Sequence, residues 1–396
     1  MAIIRALKGF RYNQNKISNI SDVIAPPYDV INSDQQKKLL NSSQHNVVHI
    51  DFNDGIGDEK YNLSKNKLNQ WFESEILIQE NKHAIYPYLQ KFEFMNETYQ
   101  RFGIMCLVKL EEFNKRVILP HEQTFSGPKE DRLKLIRACR TNLSPIFGVF
   151  DDSDNKFNKI TYDKINNLKP IIDAQSLDGI ANLIWKIDDE SMIKEIEKYF
   201  IDKEILIADG HHRYETSLNY MKEIDTDESK FALFYLAGSN QKGLLINPTH
   251  RILQNVSNSK EIISNLVNDF TIIEDAKNLD EISLQPDEFI IISNSENKKI
   301  KCKIKEQDLE KFYSMSVYAT QELIIHKYNK NYDKIEFFKS LEDAKSSIIE
   351  SSLGVILPKF IPSDIMRVVL NNDKMPQKST YFYPKVATGM VFNKLY

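Results

Sequence analysis

The run Ile205-Leu206-Ile207-Ala208-Asp209-Gly210-His211-His212-Arg213 limits most strongly what this chain can fold into. An apolar stretch of strand length ends in Asp-Gly. Two histidines and an arginine follow, and a helical pattern begins there. The pattern predicts a strand, a tight turn and a helix, with the polar cluster at the helix amino end. That end offers N–H groups without intrahelical partners and a partial positive charge, so it suits an anion. Gly210 supplies the turn, and Arg213 in the first helical turn adds a bidentate grip on phosphate or carboxylate. Side chains of adjacent helical residues point about 100° apart, so His211 and His212 do not easily chelate one ion, and no HExxH spacing occurs. One imidazole touches phosphate while the other orients the loop; alternatively, one caps the helix and the other packs in the core. Asp209 either holds Mg²⁺ or satisfies N–H groups of the turn.

A chain of 396 residues is too long for one small core, and two domains or one large body with insertions is expected. Apolar and strand-like stretches alternate with helical ones, which reads as a mixed α/β (α+β) fold. The divisions are 1–80, an N-terminal α/β segment packing on the core; 81–255, the core; and 256–396, a C-terminal α/β domain whose last strand returns to the core. The formal net charge of −4 creates no basic field for nucleic acid or anionic membrane. Cys106, Cys139 and Cys302 are scattered, without a CxxC, so neither a disulfide framework nor a zinc knuckle is expected. No apolar run of about 18 residues and no signal-peptide layout occurs, and a cytoplasmic protein is expected. The spacing predicts a helix from Ser33 to about Leu40 and another over 66–78. A long hairpin turns at Asn96-Glu97, and a short strand delivers Pro120-His121-Glu122. A helix runs from Gly127-Pro128 to about Arg140, strands span 145–150 and 183–187, and a helix spans 190–199. Strands 231–237 and 243–246 are expected to pair. The region 258–325 reads as α/β with a hairpin of 289–292 and 299–304, and a buried strand follows at 353–357.

Four further groups carry chemistry. Glu122, fixed at a strand end, accepts a proton from a substrate hydroxyl, or is a surface glutamate before a loop. Lys129, Arg132, Lys134, Arg137 and Arg140 follow on one helix. Arg132 and Arg137 bear on phosphate if that face turns toward Arg213, and are otherwise solvated. Pro26-Pro27-Tyr28-Asp29 is a rigid turn. It either brings Tyr28 and Asp29 to a substrate or simply precedes a helix. The closing run Lys378-Ser379-Thr380 beside Tyr381-Phe382-Tyr383 either binds phosphate or seals the core. Lys378 and Lys385 add charge if the C-terminus folds back. Walker, Rossmann and GxSxG patterns are absent, and no RNP-type run or zinc finger supports nucleic-acid readout.

These residues together resemble the bacterial and archaeal family called domain of unknown function 1015. The motifs are Ala25-Pro26-Pro27-Tyr28-Asp29-Val30-Ile31, His121-Glu122 with Lys129-Glu130-Asp131-Arg132, Ala208 to Arg213, and Met375 to Lys385. Asp209-Gly210-His211-His212-Arg213 is also similar to the phosphate-binding motif of the ParB/sulfiredoxin-like superfamily, which includes kinases for free L-serine. In those kinases a His-Glu pair precedes the motif and its glutamate resembles a catalytic base. Here His121-Glu122 stands in the same order at a longer separation.

The resemblance implies a ParB/sulfiredoxin-like nucleotide-binding core with N-terminal and C-terminal α/β additions. It implies a nucleotide-dependent phosphotransferase acting on a small hydroxylated metabolite, free L-serine above all, with ATP or ADP and Mg²⁺. Glu122, His121 and Asp209 would be catalytic, with Asp209 the metal ligand. Gly210, His211, His212, Arg213, Arg132, Lys378, Ser379 and Thr380 would hold phosphate, and Tyr28 and Asp29 the substrate. A phosphoserine-type phosphomonoester hydrolase and a non-enzymatic ParB-like nucleotide- or DNA-binding protein are the alternatives. The implied partners are a small-molecule substrate and a nucleotide, with no membrane; charge and motifs count against nucleic acid, and the oligomeric state stays open.

Overall fold

The protein is described by a computed structural model over residues 1–122, 126–275 and 283–396. The part of the 258–325 reading that falls on 276–282 lies outside the described residues. The fold is mixed α/β. The chain divides into two compact units. The first comprises Met1–Pro120, Thr124–Leu244 and Pro384–Tyr396; the second comprises His121–Gln123 and Leu245–Tyr383.

Up to Leu244 the strands of the first unit are β1 (Ile4–Arg5), β2 (Phe10–Tyr12), β3 (Leu77–Gln79), β4 (Tyr86–Phe94), β5 (Glu97–Lys109), β6 (Ile118–Pro120), β7 (Thr141–Asn142), β8 (Ile146–Phe150), β9 (Ile172–Gln175), β10 (Ala181–Ile184), β11 (Ile205–Asp209) and β12 (Phe231–Gly238). Among the described residues a nine-stranded sheet runs β6-β11-β8-β12-β5-β4-β10-β9, with β1 also paired to β5. The expected hairpin is β4/β5, with its turn one residue earlier than the expected Asn96-Glu97. Its two-residue turn is Met95-Asn96, both at positive φ (51° and 62°), the backbone that a tight hairpin turn requires.

One sheet face is apolar. Phe102, Ile104, Cys106 and Val108 of β5 lie with Phe234 and Leu236 of β12, Ile146 and Phe150 of β8, and Ile205 and Ile207 of β11 in one buried cluster. Helix Glu190–Phe200 adds Ile193 and Ile196 to that cluster, the spacing of one helical face. The opposite face carries Tyr88, Gln90, Arg101, Phe147 and Tyr235, all fully or almost fully buried, because side chains alternate along a strand.

Three readings of the sequence change. The helix expected over 66–78 spans Glu59–Glu73. Tyr61, Ser64, Leu68 and Trp71 form its buried stripe, and Glu75 at φ 54° breaks it before β3. The strand expected at 183–187 is β10, paired to the unforeseen β9; Ile187 instead bridges Ile85. Strands 231–237 and 243–246 do not form a hairpin. Both edges of β12 are taken by β5 and β8, as suits a strand apolar on both faces.

In the second unit, β13 (Leu245–Pro248) pairs with β20 (Thr380–Tyr383). Strands β14 (His250–Gln254), β15 (Phe270–Asp275), β16 (Glu288–Ser293), β17 (Lys298–Ile304), β18 (Lys334–Phe338) and β19 (Leu353–Ile356) form a sheet of order β15-β17-β16-β19-β14-β18. The expected hairpin is β16/β17 and the expected late strand is β19. Among the described residues no helix is long and apolar enough to cross a membrane.

Candidate functional site

Strand β11 ends at Asp209, and helix His211–Ile224 (hereafter the HHR helix) begins one residue later. Gly210 joins them at φ 92°, a left-handed backbone that glycine adopts without penalty. A Cβ there would also lie 3.0 Å from the Arg213 guanidinium, so Gly210 is set by close approach as well as by φ.

Alternation along β11 would aim Asp209 at the apolar face, beside Ile205 and Ile207. The pairing with β8 shifts register between Ile207 and Asp209, and Asp209 falls opposite Phe147. This bulge turns the carboxylate onto the polar face. There Asp209 is buried, with Lys385 on Oδ1 and Arg213 on Oδ2. Burial raises its pKa, but Lys385 and Arg213 together outweigh that and hold it below the ordinary carboxylate value. Arg213 also donates from Nη1 to the Pro145 carbonyl and, at 3.3 Å, to Ser144 Oγ. Asp209, expected as a magnesium ligand, therefore faces two cations, and its oxygens do not fit a divalent ion in this arrangement. Among the described residues no group of three or more His, Cys, Asp or Glu side chains is placed for a metal.

The segment that delivers Lys385 is anchored on the same polar face. Arg101 Nη2 donates to the Pro384 carbonyl at 2.6 Å, and Gln90 Nε2 to the Lys385 carbonyl at 3.0 Å. Strand Asn393–Lys394 then pairs with β7.

The basic helix Ser126–Cys139 turns part of its face inward. Arg132 is buried and donates from Nη1 to the Asp51 carboxylate at 3.1 Å, and from Nη2 to Asp131 at 2.6 Å. Its guanidinium carbon lies 4.0 Å from the centroid of the Tyr28 ring. Burial alone would lower the Arg132 pKa, but Asp51, Asp131 and Tyr28 raise it above its usual value. Burial pushes the Tyr28 hydroxyl up to about 12, against the pull of Arg132. Asp131 is held at about 2: burial raises it, while Arg132, Lys60 and Tyr61 lower it further. Arg137 pairs with Glu223 at the surface at 2.6 Å, and Lys129 with Glu215 at 2.8 Å.

His211 is buried and His212 half-buried. Burial lowers the His212 pKa, with Asp29 and Glu215 opposing and Lys129 and Arg213 assisting, so its imidazole is neutral at pH 7. A cavity of about 50 Å³ lies beside Arg213, walled on its polar side by Asp51, Arg132, Ser144, Thr216 and Ser217. It has room for water but not for a nucleoside. A larger cleft of about 870 Å³, walled by Arg5, Lys8, Lys82, His83, Asp188 and Glu197, contains none of the motif residues.

Tyr28, Asp29, Arg132, Asp209, Gly210, His211, His212 and Arg213 thus belong to the first unit and gather around the start of the HHR helix, with Lys385. Asp51, Ser144 and Arg101 were not foreseen, and Asp131 was named only within the family motif. An acidic residue closing the apolar Val47-Val48-His49-Ile50 run was the available signal for Asp51. His121, Glu122, Lys378, Ser379 and Thr380 belong to the second unit. There His121 is buried, its Nε2 is 2.9 Å from Thr380 Oγ1, and its carbonyl accepts from the Met375 N–H at 2.8 Å. Glu122 is half-buried.

A family model described as Protein of unknown function (DUF1015) matches residues 4–340. The chain belongs to that family. No curated protein matches it. Among solved structures, a conserved hypothetical protein from Pyrococcus furiosus is similar at 15% identity and TM-score 0.37, covering 71% of this chain and 94% of that one. A free serine kinase in complex with ADP is similar at 12% identity and TM-score 0.38, covering 71% and 91%. SbnI from Staphylococcus aureus is similar at 12% identity and TM-score 0.39, covering 72% and 85%. These scores are too low to transfer a ligand or an activity to this family member.

Proposed function

We propose that the chain is a nucleotide-dependent phosphotransferase acting on a small hydroxylated metabolite, with free L-serine as the first substrate to test. The supporting observation is the gathering of the Tyr28-Asp29 turn, Arg132, the Asp209–Arg213 corner and Lys385 around one helix amino end within the first unit. The ParB/sulfiredoxin-like reading of the core and the choice of serine rest on motif resemblance.

Phosphoryl transfer asks a protein mainly for positioning and charge stabilisation. The HHR helix supplies its amino-end dipole, and Gly210 lets backbone and ligand approach closely. Among the described residues, three of the five Arg213 N–H donors are used, by Asp209, Pro145 and Ser144, and two remain for phosphate oxygens. Asp209 acts here as a positioning residue. Its carboxylate fixes Arg213 and Lys385 before ligand arrives, so their ordering cost falls on folding rather than on binding. The small cavity of about 50 Å³ is too small to take the nucleoside. No step is assigned to magnesium. No step is assigned to Glu122, which belongs to the second unit.

The test is phosphoserine formation from L-serine with ATP or ADP, followed by ³¹P NMR. Wild type should form product only with nucleotide, and Arg213→Ala should lose about a hundredfold or more. Phosphate release from phosphoserine without nucleotide would replace this reading with a hydrolase. Equal turnover in wild type and Arg213→Ala would remove it.

A further inference from the structure

The second unit buries an arginine that has no counterion. Arg251 lies on β14 and is 0% exposed. Its Nη1 donates to the Thr249 carbonyl at 3.2 Å and its Nη2 to Ser379 Oγ at 3.4 Å. Both contacts are long, and both acceptors are neutral. Nε has no partner. The side-on edge formed by Nε and Nη2, the edge a guanidinium offers to an oxyanion, is therefore almost unused. Among the described residues no carboxylate pairs with Arg251. Burial lowers its pKa to about 10, so it still carries its charge at neutral pH. A buried charge without a counterion is costly.

A second cation packs on the ring that Arg251 also meets. The Arg251 guanidinium carbon is 5.9 Å and the Lys378 Nζ 5.8 Å from the centroid of one ring, that of Phe337. Lys378 is exposed and sits at φ 51°, and it directly precedes Ser379 and Thr380. Ser379 donates its own proton to the Pro376 carbonyl, so its oxygen faces Arg251 only as an acceptor. A tetrahedral oxyanion is a better acceptor for that guanidinium edge than a hydroxyl at 3.4 Å.

We propose that the second unit holds an oxyanion site of its own, with Arg251 as its buried anchor and Lys378 as its exposed cation, taking a phosphate group. All of its residues belong to the second unit. The phosphate is either inorganic or the head of a phosphomonoester, and the probes separate the two.

The experiment is calorimetric titration of the full chain with inorganic phosphate, phosphoserine and acetate at constant ionic strength, in an Arg213→Ala background that weakens the first corner. Phosphate or phosphoserine should bind, and the tighter of the two names the source. Adding Arg251→Met or Lys378→Ala should weaken that binding by about tenfold or more. Lys378 is exposed, so its variant decides the matter if Arg251→Met fails to fold. Undiminished affinity in a folded Arg251→Met chain, acetate binding as tightly as phosphate, or no phosphate binding in the Arg213→Ala background would each overturn the proposal. Because Arg213 is already removed, failure here leaves the reading of the first unit standing, and the reverse also holds.

Discussion

Replacing Asp209 by asparagine should destabilise the first unit strongly, and phosphate should reverse much of the loss. The Asp209 side chain is only 10% exposed, and those of its partners Lys385 and Arg213 are 13% and 11% exposed. Removing one member of a buried ion pair costs about 3–5 kcal/mol, because the remaining charge loses its compensation. Two cations lose theirs here. The asparagine amide still offers an oxygen, and Arg213 keeps Pro145 and Ser144, so the lower end of that range, about 3 kcal/mol, is expected. An anion entering beside the two cations at about a hundred times its dissociation constant returns about 2.7 kcal/mol. The assay is urea unfolding of wild type and variant, with and without inorganic phosphate. The rescue is the excess of the variant's phosphate effect over the wild type's, which subtracts any phosphate bound elsewhere. The pH dependence has a definite sign. The folded pKa of Asp209 is depressed, so its contribution is present above the unfolded value of about 3.9 and is lost as pH falls through the folded value. The gap between wild type and variant should therefore be full at about pH 7 and close in acid. A loss below about 1 kcal/mol would refute the buried-pair reasoning. A full loss without excess phosphate rescue would refute the anion cradle.

Other outcomes follow from the same geometry. Gly210→Ala meets both the positive φ and the Arg213 guanidinium at 3.0 Å. It should cost about 1–3 kcal/mol in urea unfolding and weaken nucleotide binding. Arg132→Ala leaves Asp51 buried without its cation and should cost about 3–5 kcal/mol; a loss under about 1 kcal/mol would contradict the buried pair. In the second unit, burial lowers His250 to about 4, and its Nδ1 accepts from the Leu357 N–H at 3.2 Å, which requires the neutral ring. Its folded pKa lies below its unfolded one, so stability should be full above about pH 6.5. It should then fall by up to about 3 kcal/mol as pH drops toward about 4. His250→Gln should flatten that part of the profile, and an unchanged profile would count against a buried neutral histidine.

What could be read from the sequence was what is decided locally. The strand–glycine–helix corner at 205–213, the hairpin after Tyr86 and the late hairpin β16/β17 all follow from short-range patterning and turn chemistry. The mixed α/β class read from alternating strands and helices is the class of the structure. The bulge at Asp209 was hidden, because alternation along β11 points the other way and only the pairing with β8 reverses it. The hairpin expected at 231–246 failed for a related reason. An apolar strand shows that it is central without naming its neighbours. The partners of the site residues are distant in sequence: Lys385 stands 176 residues from Asp209, and Asp51 81 from Arg132. No periodicity reports such contacts. The motif order grouped all the candidates together, whereas the fold assigns Arg132 and Asp209 to Arg213 to one unit and His121 and Lys378 to Thr380 to the other.

The most direct measurement is calorimetric titration of ATP and ADP into the wild-type chain and into Arg213→Ala. If the amino end of the HHR helix is a prepared phosphate site, the wild type binds nucleotide and the variant binds it about ten to a hundred times more weakly. Equal affinity in the two folded proteins would contradict that claim, as would no binding to the wild type.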